Sequence, residues 1–262
     1  MKVAVVTGAA GAIGSAICHH LNRRGFHIIA IDLDKKGLDL LPEPVTRLGL
    51  DLTEPGFHDT VTAAVDSLGR CDLLINNAGV IVTRPFEQVT PEECRREQFV
   101  NLQAPMLLSR ALYPALRRTR GRIISVVSLG SMMPLAESPG YCASKAGLRA
   151  FMLTLAMLER QTGVGISMVH PGAVDTPMLR REIAEGGSAL NFLGTPLRPE
   201  AVARAVVANL DRPRLETNIP RHDGWLLKLV NLMPGILPPL RPLLERLAQP
   251  GLRRYRRRQG LA

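Results

Sequence analysis

A tyrosine and a lysine four residues apart are the strongest candidates for acid–base chemistry in this sequence. Tyr141 and Lys145 fall in a helical pattern over residues 141–162, so their spacing predicts that they share one helix face. A free tyrosine has a pKa of about 10 and is a poor base at neutral pH, but a nearby ammonium favours the phenolate and lowers that pKa. Such a pair could pass a proton to or from an alcohol oxygen.

A serine upstream could complete the set. Ser128 is expected at the end of the fifth predicted strand, where it could donate a hydrogen bond to a reacting carbonyl oxygen. Ser125 and Ser131 are rivals, but one lies inside the strand and the other is closer to Tyr141, so we predict structural roles for both. A tyrosine and a lysine at this spacing also occur on many surface helices, so the functional interpretation depends on its surroundings.

A glycine-rich loop lies near the amino terminus. Its glycines fall between the first predicted strand and the first predicted helix, where they permit a tight turn and close approach of the backbone to a pyrophosphate. The first turn of that helix offers free N–H groups to phosphate oxygens. The pattern predicts a dinucleotide site that includes Gly8, Ala10, Gly11, Ile13 and Gly14.

The acid at the end of the second strand predicts the choice of dinucleotide. Asp32 could accept hydrogen bonds from both hydroxyls of the adenosine ribose and would repel a 2′-phosphate. We therefore expect NAD as the cofactor, with NADP less favoured. Asp34 is a competing acid deeper in the turn, and Lys35 or Lys36 could meet a 2′-phosphate.

Short apolar runs alternate with helix-length segments along most of the chain. This alternation predicts βαβ units and a single doubly wound parallel sheet with helices on both faces, an α/β Rossmann fold. The predicted strands are 3–7, 27–31, 46–50, 72–76, 122–127, 165–170 and 215–219. The first helix carries Ile13, Ile17 and Leu21 on one face, and longer helices are predicted over 53–68, 91–119 and 141–162. We predict a catalytic domain over 1–220 and an apolar, arginine-rich extension over 221–262.

Composition excludes several other classes of protein. Hydrophobic residues make up 46% of the 262 residues and charged residues 21%, which is typical of a globular protein. The four cysteines have no CxxC spacing and no histidine pairs with a potential metal ligand, so we expect neither a disulfide framework nor a metal site. The net charge of +10 is concentrated in the extension and aromatic residues are few, so nucleic-acid binding is disfavoured. With no signal peptide and no transmembrane segment predicted, we expect a cytoplasmic protein.

The order of these motifs resembles that of the short-chain dehydrogenase/reductase family over roughly residues 1–220. The matching elements are the glycine loop, Asn76-Asn77-Ala78-Gly79, Asn101, the serine followed by Tyr141-Cys142-Ala143-Ser144-Lys145, and Pro171-Gly172 with Thr176. The resemblance implies that Ser128, Tyr141, Lys145 and Asn101 are catalytic, with Lys145 holding the nicotinamide ribose and Asn101 anchoring a water.

The resemblance also implies further cofactor contacts. Asn77, Ala78 and Gly79 would form a wall of the site, and Asp51 with Leu52 would lie near the adenine. Pro171 and Gly172 would also contact the cofactor. Thr176 would bond the carboxamide or the phosphates, or would instead cap a helix before Pro177.

The last part of the chain bears on the substrate. Residues 174–198 are expected to form an apolar lid with Gly186-Gly187 as a hinge. The extension has three interpretations: peripheral contact with a membrane through residues 224–258, a second lid or an oligomer interface, or, least favoured, a nucleic-acid-binding tail.

We therefore expect hydride transfer between NAD(H) and a lipophilic secondary alcohol or ketone, in a homo-oligomer (dimer or tetramer). The alternatives are a non-catalytic NAD-binding or membrane scaffold, and dehydration or epimerisation on the same fold.

Overall fold

A seven-stranded sheet forms the centre of the computed structural model, which describes residues 1–220, 227 and 232–260. All strands are parallel, in the spatial order β3-β2-β1-β4-β5-β6-β7. The strands are β1 Lys2–Thr7, β2 Phe26–Asp32, β3 Val45–Gly49, β4 Leu73–Asn76, β5 Arg122–Val126, β6 Gly165–Pro171 and β7 Glu216–Ile219. The predicted fold class is confirmed.

Two apolar layers bury the two faces of the sheet, because helices cover both sides. Alternate residues of β1 go to opposite layers: Val3 and Val5 pack in one, Ala4 and Val6 in the other. The helices are α1 Ala12–Asn22, α2 Lys35–Asp39, α3 Phe57–Ser67, α4 Pro91–Gln98, α5 Ala104–Thr119, α6 Pro139–Ala156, α7 Glu159–Thr162, α8 Pro177–Ala184, α9 Pro199–Asp211 and α10 Leu237–Gln259.

The direction of chain winding reverses between β1 and β4, which are neighbours in the sheet. At such a switch point the loops after the two strands diverge and leave a crevice at the carboxyl edge of the sheet. The glycine loop follows β1, and Asn77 to Gly79 follow β4. The sheet thereby brings together two motifs that are about seventy residues apart in the sequence.

Two of the long helices predicted from sequence are divided. The 91–119 segment consists of α4 and α5 joined by a π-helical turn, Phe99–Gln103. Pro105 has no N–H to give to the carbonyl of Asn101, which removes one α-helical hydrogen bond at this point. The 141–162 segment begins at Pro139 and ends at Ala156, with the short α7 after it. The 53–68 helix begins only at Phe57, after Gly56 in the left-handed conformation.

The extension folds back onto the catalytic domain. Part of it lies outside the described residues, including positions 224–226 and 228–231 of the predicted contact segment 224–258. Where it is described, α10 buries Leu252 and Tyr255 against Leu179 and Ile183 of α8 and against Phe192. The predicted boundary at residue 220 therefore separates two segments of sequence that pack on one another.

Candidate functional site

A cavity of about 1020 Å³ opens at the switch point of the sheet. It extends from the glycine loop, past the carboxyl ends of β1, β4 and β5, to the segment after β6. Sixteen of the residues predicted from sequence line it: Gly8, Gly11, Ile13, Gly14, Asp32, Asp51, Leu52, Asn77, Ala78, Gly79, Ser128, Tyr141, Lys145, Pro171, Gly172 and Thr176. Ala10 and Asn101 do not line it.

The glycine loop is packed too closely for side chains. A Cβ on Gly14 would lie 1.9 Å from the carbonyl oxygen of Gly8, and a Cβ on Gly8 would lie 2.9 Å from the Cα of Ala78. Gly8 also has a φ of +64°, which favours glycine. The backbone of the loop is therefore exposed directly to the cavity, as close approach of a pyrophosphate requires.

Thr7 fastens the loop after β4 to the end of β1. Its Oγ1 accepts hydrogen bonds from the N–H groups of Asn77 and Ala78, both at 3.0 Å. The Asn77 side chain donates in return to the carbonyls of Thr7 and Gly8, at 3.0 and 3.1 Å. Asn76 also donates to Ser125 at 3.3 Å, so the two asparagines join β4 and the loop after it to the neighbouring strands β5 and β1.

Asp32 ends β2 and supports the glycine loop. Its Oδ2 accepts from the N–H of Ala10 at 2.9 Å, and its Oδ1 accepts from the N–H of Asp34 at 3.0 Å. The bond to Asp32 turns the N–H of Ala10 towards β2, and Ala10 does not line the cavity. Asp34 does not line the cavity; its side chain caps α2 by accepting from the N–H of Gly37.

Ser128 and Tyr141 meet across a glycine. Ser128 lies two residues beyond the end of β5, and its Oγ accepts from the N–H of Gly130 at 2.9 Å. A Cβ on Gly130 would lie 3.2 Å from that oxygen and 3.4 Å from the Tyr141 ring. The rival serines are occupied elsewhere: Ser125 bonds to Met152 inside the core, and Ser131 bonds to the carbonyl of Ser128.

Lys145 lies on the same face of α6 as Tyr141, as predicted. Its Nζ is 5.8 Å from the centre of the Tyr141 ring and donates to the carbonyl of Val126 at 3.2 Å. The side chain is only 4% exposed, and burial lowers the pKa of its ammonium to about 8.

The predicted effect of Lys145 on the tyrosine is not the dominant one in this structure. Burial raises the pKa of Tyr141; a hydrogen bond with Ser128 lowers it, and the charge of Glu182 adds to the rise. Desolvation of the phenolate is the largest of these effects, because the Tyr141 hydroxyl is enclosed by protein.

Asn101 lies in the π-helical turn and is fully buried. Its amide donates to the carbonyl of Val80 at 2.8 Å and to Ser144 at 3.0 Å, and accepts from the N–H of Val80 at 2.9 Å. Both amide hydrogens are therefore engaged. Asn101 approaches the site from behind Gly79, whose Cβ would meet both Asn101 Oδ1 and Lys145 Nζ.

For Thr176 the structure supports the capping alternative. Its Oγ1 accepts from the N–H of Leu179 at 3.3 Å at the start of α8 and donates to the carbonyl of Val174 at 3.2 Å. Asp51 makes a comparable local turn by accepting from Thr53. Both side chains line the cavity, and their contacts with a cofactor stay predictions.

The far end of the cavity is covered by two layers of apolar side chains. The first belongs to the predicted lid, which forms α8 and a 3-10 turn, Ala189–Phe192. The second belongs to the extension. The apolar residues of both layers that line the cavity are Met178, Leu179, Leu190, Leu193, Leu227, Leu237, Leu240 and Leu244.

Two polar contacts join α10 to loops on the catalytic domain. Tyr255 donates to Asp175 at 2.8 Å, and Arg241 pairs with Glu137 at 2.9 Å. Asp175 follows β6, and Glu137 precedes α6. The helix is therefore attached beside the cavity by contacts to two separate loops.

Sequence reasoning missed several polar residues of the cavity. Glu182 and Asn191 both line it, and Asn191 donates to Glu182 at 2.6 Å. In the sequence Glu182 follows two arginines on a polar helix, which is typical of a solvated surface, so no local pattern indicates its burial. Arg96 of α4 also lines the cavity and was not predicted.

Over residues 1–220, 227 and 232–260, no helix is both long and apolar enough to cross a membrane. In the same described part of the chain, no group of three or more His, Cys, Asp or Glu side chains could hold a metal ion.

Comparison with known proteins gives consistent matches. The family model described as short chain dehydrogenase matches residues 2–186. The chain is 30% identical to an acetoacetyl-CoA reductase of Acinetobacter sp., with 79% of this chain and 89% of that protein covered. It is 36% identical to a 1-deoxy-11-beta-hydroxypentalenate dehydrogenase of Streptomyces exfoliatus, with 71% and 72% covered.

A solved structure agrees in architecture. The 3-ketoacyl-(acyl-carrier-protein) reductase from Brucella melitensis, complexed with NADH, aligns with a TM-score of 0.73 and 25% identity. The alignment covers 83% of this chain and 96% of that one.

Proposed function

Because the chain belongs to the short chain dehydrogenase family and is an NAD(P)-dependent oxidoreductase acting on CH–OH groups, we propose that it interconverts a lipophilic secondary alcohol and its ketone with NAD(H). One observation carries the proposal. A single cavity joins the glycine loop, the Ser128, Tyr141 and Lys145 side chains, and an apolar lid formed from two parts of the chain.

The residues around the switch point fit a dinucleotide. The bare backbone at Gly8 and Gly14 leaves room for the pyrophosphate, and the free N–H groups at the start of α1 would bind its oxygens. Asp32 is placed at the end of β2, where a carboxylate would accept from the ribose hydroxyls.

Charge around Asp32 supports NAD over NADP. Asp32 lines the cavity, whereas Lys35 and Lys36 do not. The Lys35 side chain lies against Gly49 on β3, since a Cβ on Gly49 would meet its Cε at 2.6 Å. A 2′-phosphate would therefore meet a carboxylate without a neighbouring cation in the cavity wall.

When bound, NAD supplies the hydride acceptor, and the chain's own residues manage the proton. Ser128 Oγ accepts from Gly130, and its own hydrogen, which it shares with Tyr141 in this structure, would turn to the substrate oxygen when the substrate binds. The Tyr141 hydroxyl, beside Ser128, exchanges the proton of that same oxygen. Lys145 uses one N–H on the Val126 carbonyl, so two others remain for the ribose and for a proton relay.

The proton relay would continue from Lys145 to a water bound by the main chain of Asn101, not by its side chain. Both hydrogens of the Asn101 amide are bound to protein groups, so the side chain has no donor to spare for a water. The main-chain carbonyl of Asn101 lacks its usual α-helical donor, because Pro105 has no N–H. We place the predicted water at this carbonyl.

The lid supports a lipophilic substrate. Its inner surface is formed mainly by leucine and methionine from α8, the 3-10 turn and α10. A sugar would leave its hydroxyl groups without partners on such a surface, at a cost of about 1–3 kcal/mol for each buried group. The named substrates of the relatives, acetoacetyl-CoA and a hydroxypentalenate, differ too much to specify one for this chain.

A peripheral membrane contact is a second proposal with its own observation. On α10, Leu243 and Leu247 are 54% and 62% exposed and lie four residues apart on one face. Five exposed arginines follow at 253, 254 and 256–258. Apolar side chains next to clustered cations suit an anionic lipid surface.

Assembly of the chain into a homo-oligomer stays a prediction.

The test is a substrate screen followed by absorbance of NADH. We expect turnover of hydroxysteroids, retinols or long-chain secondary alcohols, and little turnover of sugar alcohols. The Tyr141→Phe variant should bind NADH like the wild type but lose about 10²–10⁴-fold in kcat/KM. Preferred oxidation of sugar alcohols, or full activity of Tyr141→Phe, would contradict the proposal.

A further inference from the structure

A carboxyl group stands among mainly apolar side chains at the lid end of the cavity. Glu182 of α8 lines the cavity and is 6% exposed. Its surroundings in the lid are apolar, since Leu179 and Ile183 on the same helix belong to the buried cluster with Phe192. A buried carboxyl group is costly unless it is bonded, so its presence here needs a cause.

The carboxyl group is held in a fixed place. Oε1 accepts from the Asn191 amide at 2.6 Å. Gly187 packs against the other side: a Cβ there would lie 2.5 Å from Glu182 Cγ, and its N–H donates to the Glu182 carbonyl at 2.8 Å. Among the described residues, Glu182 Oε2 has no hydrogen-bond partner. The protein does not fully enclose this oxygen, so a ligand can reach it.

Glu182 and Tyr141 line the same cavity. The charge of Glu182 contributes to the raised pKa of Tyr141, after the larger effect of burial. Because both residues line one cavity, a long substrate with its alcohol at Tyr141 would extend towards Glu182. The second carboxylate oxygen is available to a group on that substrate.

We propose that Glu182 and Asn191 form a polar subsite for a second hydroxyl group on the substrate, remote from the carbon that is oxidised. This inference rests on the proposed function and narrows its substrate class to lipophilic diols and hydroxyketones. The hydroxyl would donate its one hydrogen to Glu182 Oε2. Asn191 would keep the carboxyl group in place through its bond to Oε1. A hydroxyl can donate to Glu182 whether the carboxyl group is ionised or neutral, and its transfer out of water costs less than that of an ammonium group.

A binding measurement separates this subsite from the reaction. The protein is saturated with NADH, so that an added alcohol cannot be oxidised, and titrated calorimetrically with secondary alcohols of eight, ten and twelve carbons. Each is compared with its counterpart that carries a second hydroxyl at the far end. At about pH 8.5, above the pKa of about 7 to which burial raises the Glu182 carboxyl group, we expect one chain length at which the second hydroxyl tightens binding by about 10- to 100-fold, the range for a buried hydrogen bond to a charged group.

Variants assign that preference to the carboxyl group. Glu182→Leu should remove the preference and bind the simple alcohol at least as well, whereas Glu182→Gln, which still accepts from Asn191, should retain a part of it. Glu185→Leu removes the same charge from the exposed end of the same helix segment and should leave the preference unchanged. A purely structural bond between Glu182 and Asn191 would alter binding of both alcohols equally.

The outcomes are distinct. No hydroxyl preference at any chain length in the wild type overturns the subsite, even if the variants do not fold. A preference that survives in Glu182→Leu also overturns it. A preference lost in Glu182→Leu, without oxidation of any tested diol by NAD, supports the subsite and counts against the proposed reaction.

Discussion

Replacing the buried lysine should change stability in a pH-dependent way. Lys145 is 4% exposed, and its Nζ donates a hydrogen bond to the Val126 carbonyl at 3.2 Å. Burial lowers the pKa of its ammonium from 10.5 to about 8. At about 1.36 kcal/mol per pKa unit, this lowering corresponds to about 3 kcal/mol of destabilisation at neutral pH. Lys145→Met should remove that cost together with catalytic activity.

The lost hydrogen bond works in the opposite direction. Leaving the Val126 carbonyl unpaired costs about 1–3 kcal/mol, so we expect Lys145→Met to be more stable than the wild type by about 0–2 kcal/mol at neutral pH. The dependence on pH is the more sensitive test, because the hydrogen-bond and packing contributions of the methionine do not titrate.

The sign follows from proton binding. The folded-state pKa of Lys145 lies below that of the unfolded chain, so between about pH 8 and about pH 10.5 the unfolded chain binds more protons. Wild-type stability therefore rises with pH relative to Lys145→Met. We expect the advantage of the variant to shrink by about 2 kcal/mol between about pH 7 and about pH 9.5. That change corresponds to about 4–8 °C in Tm for a chain of this size.

Urea unfolding of both proteins without added NAD, across this pH range, measures the difference. Lys36→Met is the control, because Lys36 is exposed and its ammonium is in water in both the folded and the unfolded chain. A difference between wild type and Lys145→Met that does not change with pH would refute the reasoning that the ammonium is buried at a cost.

Three further predictions concern the cofactor and the lid. Asp32→Ala should reduce the ratio of kcat/KM for NAD to kcat/KM for NADP by about tenfold or more, because it removes a negative charge that would repel the 2′-phosphate. Asp34→Ala is the control, and equal kcat/KM for both cofactors in the wild type would contradict the role of Asp32 in favouring NAD. Gly14→Ala should weaken NADH binding by at least about tenfold, because its Cβ would overlap a backbone carbonyl at 1.9 Å, whereas Gly235→Ala, with open space around it, should not. Truncation after Asp223 removes leucines that line the cavity and should raise KM for long apolar alcohols by about tenfold, with KM for NAD unchanged; an unchanged KM for the alcohols would exclude the lid role. If the same truncation abolishes sedimentation with anionic vesicles, the membrane contact is supported, and a wild type that does not sediment contradicts it.

Much of the site was determined by sequence because its motifs are local. The glycine loop must follow a strand and open a helix, and the pattern from Gly8 to Gly14 contains both requirements. The four-residue spacing of Tyr141 and Lys145 fixes a shared helix face wherever α6 lies. The central strands are buried on both faces and almost continuously apolar, so they were visible to within a residue or two. The edge strands β3 and β7 are only partly buried and carry polar residues.

Tertiary structure decided the properties that depend on distant neighbours. The sequence predicted that Lys145 would lower the pKa of Tyr141, but enclosure of both groups makes desolvation dominant. Glu182 has the sequence context of a surface residue and becomes a cavity residue only because the lid and α10 close over it. The place of α10 itself depends on contacts from Tyr255 and Arg241 to loops about eighty and one hundred residues away. Burial and electrostatics are sums over such contacts, and no local pattern of residues contains them.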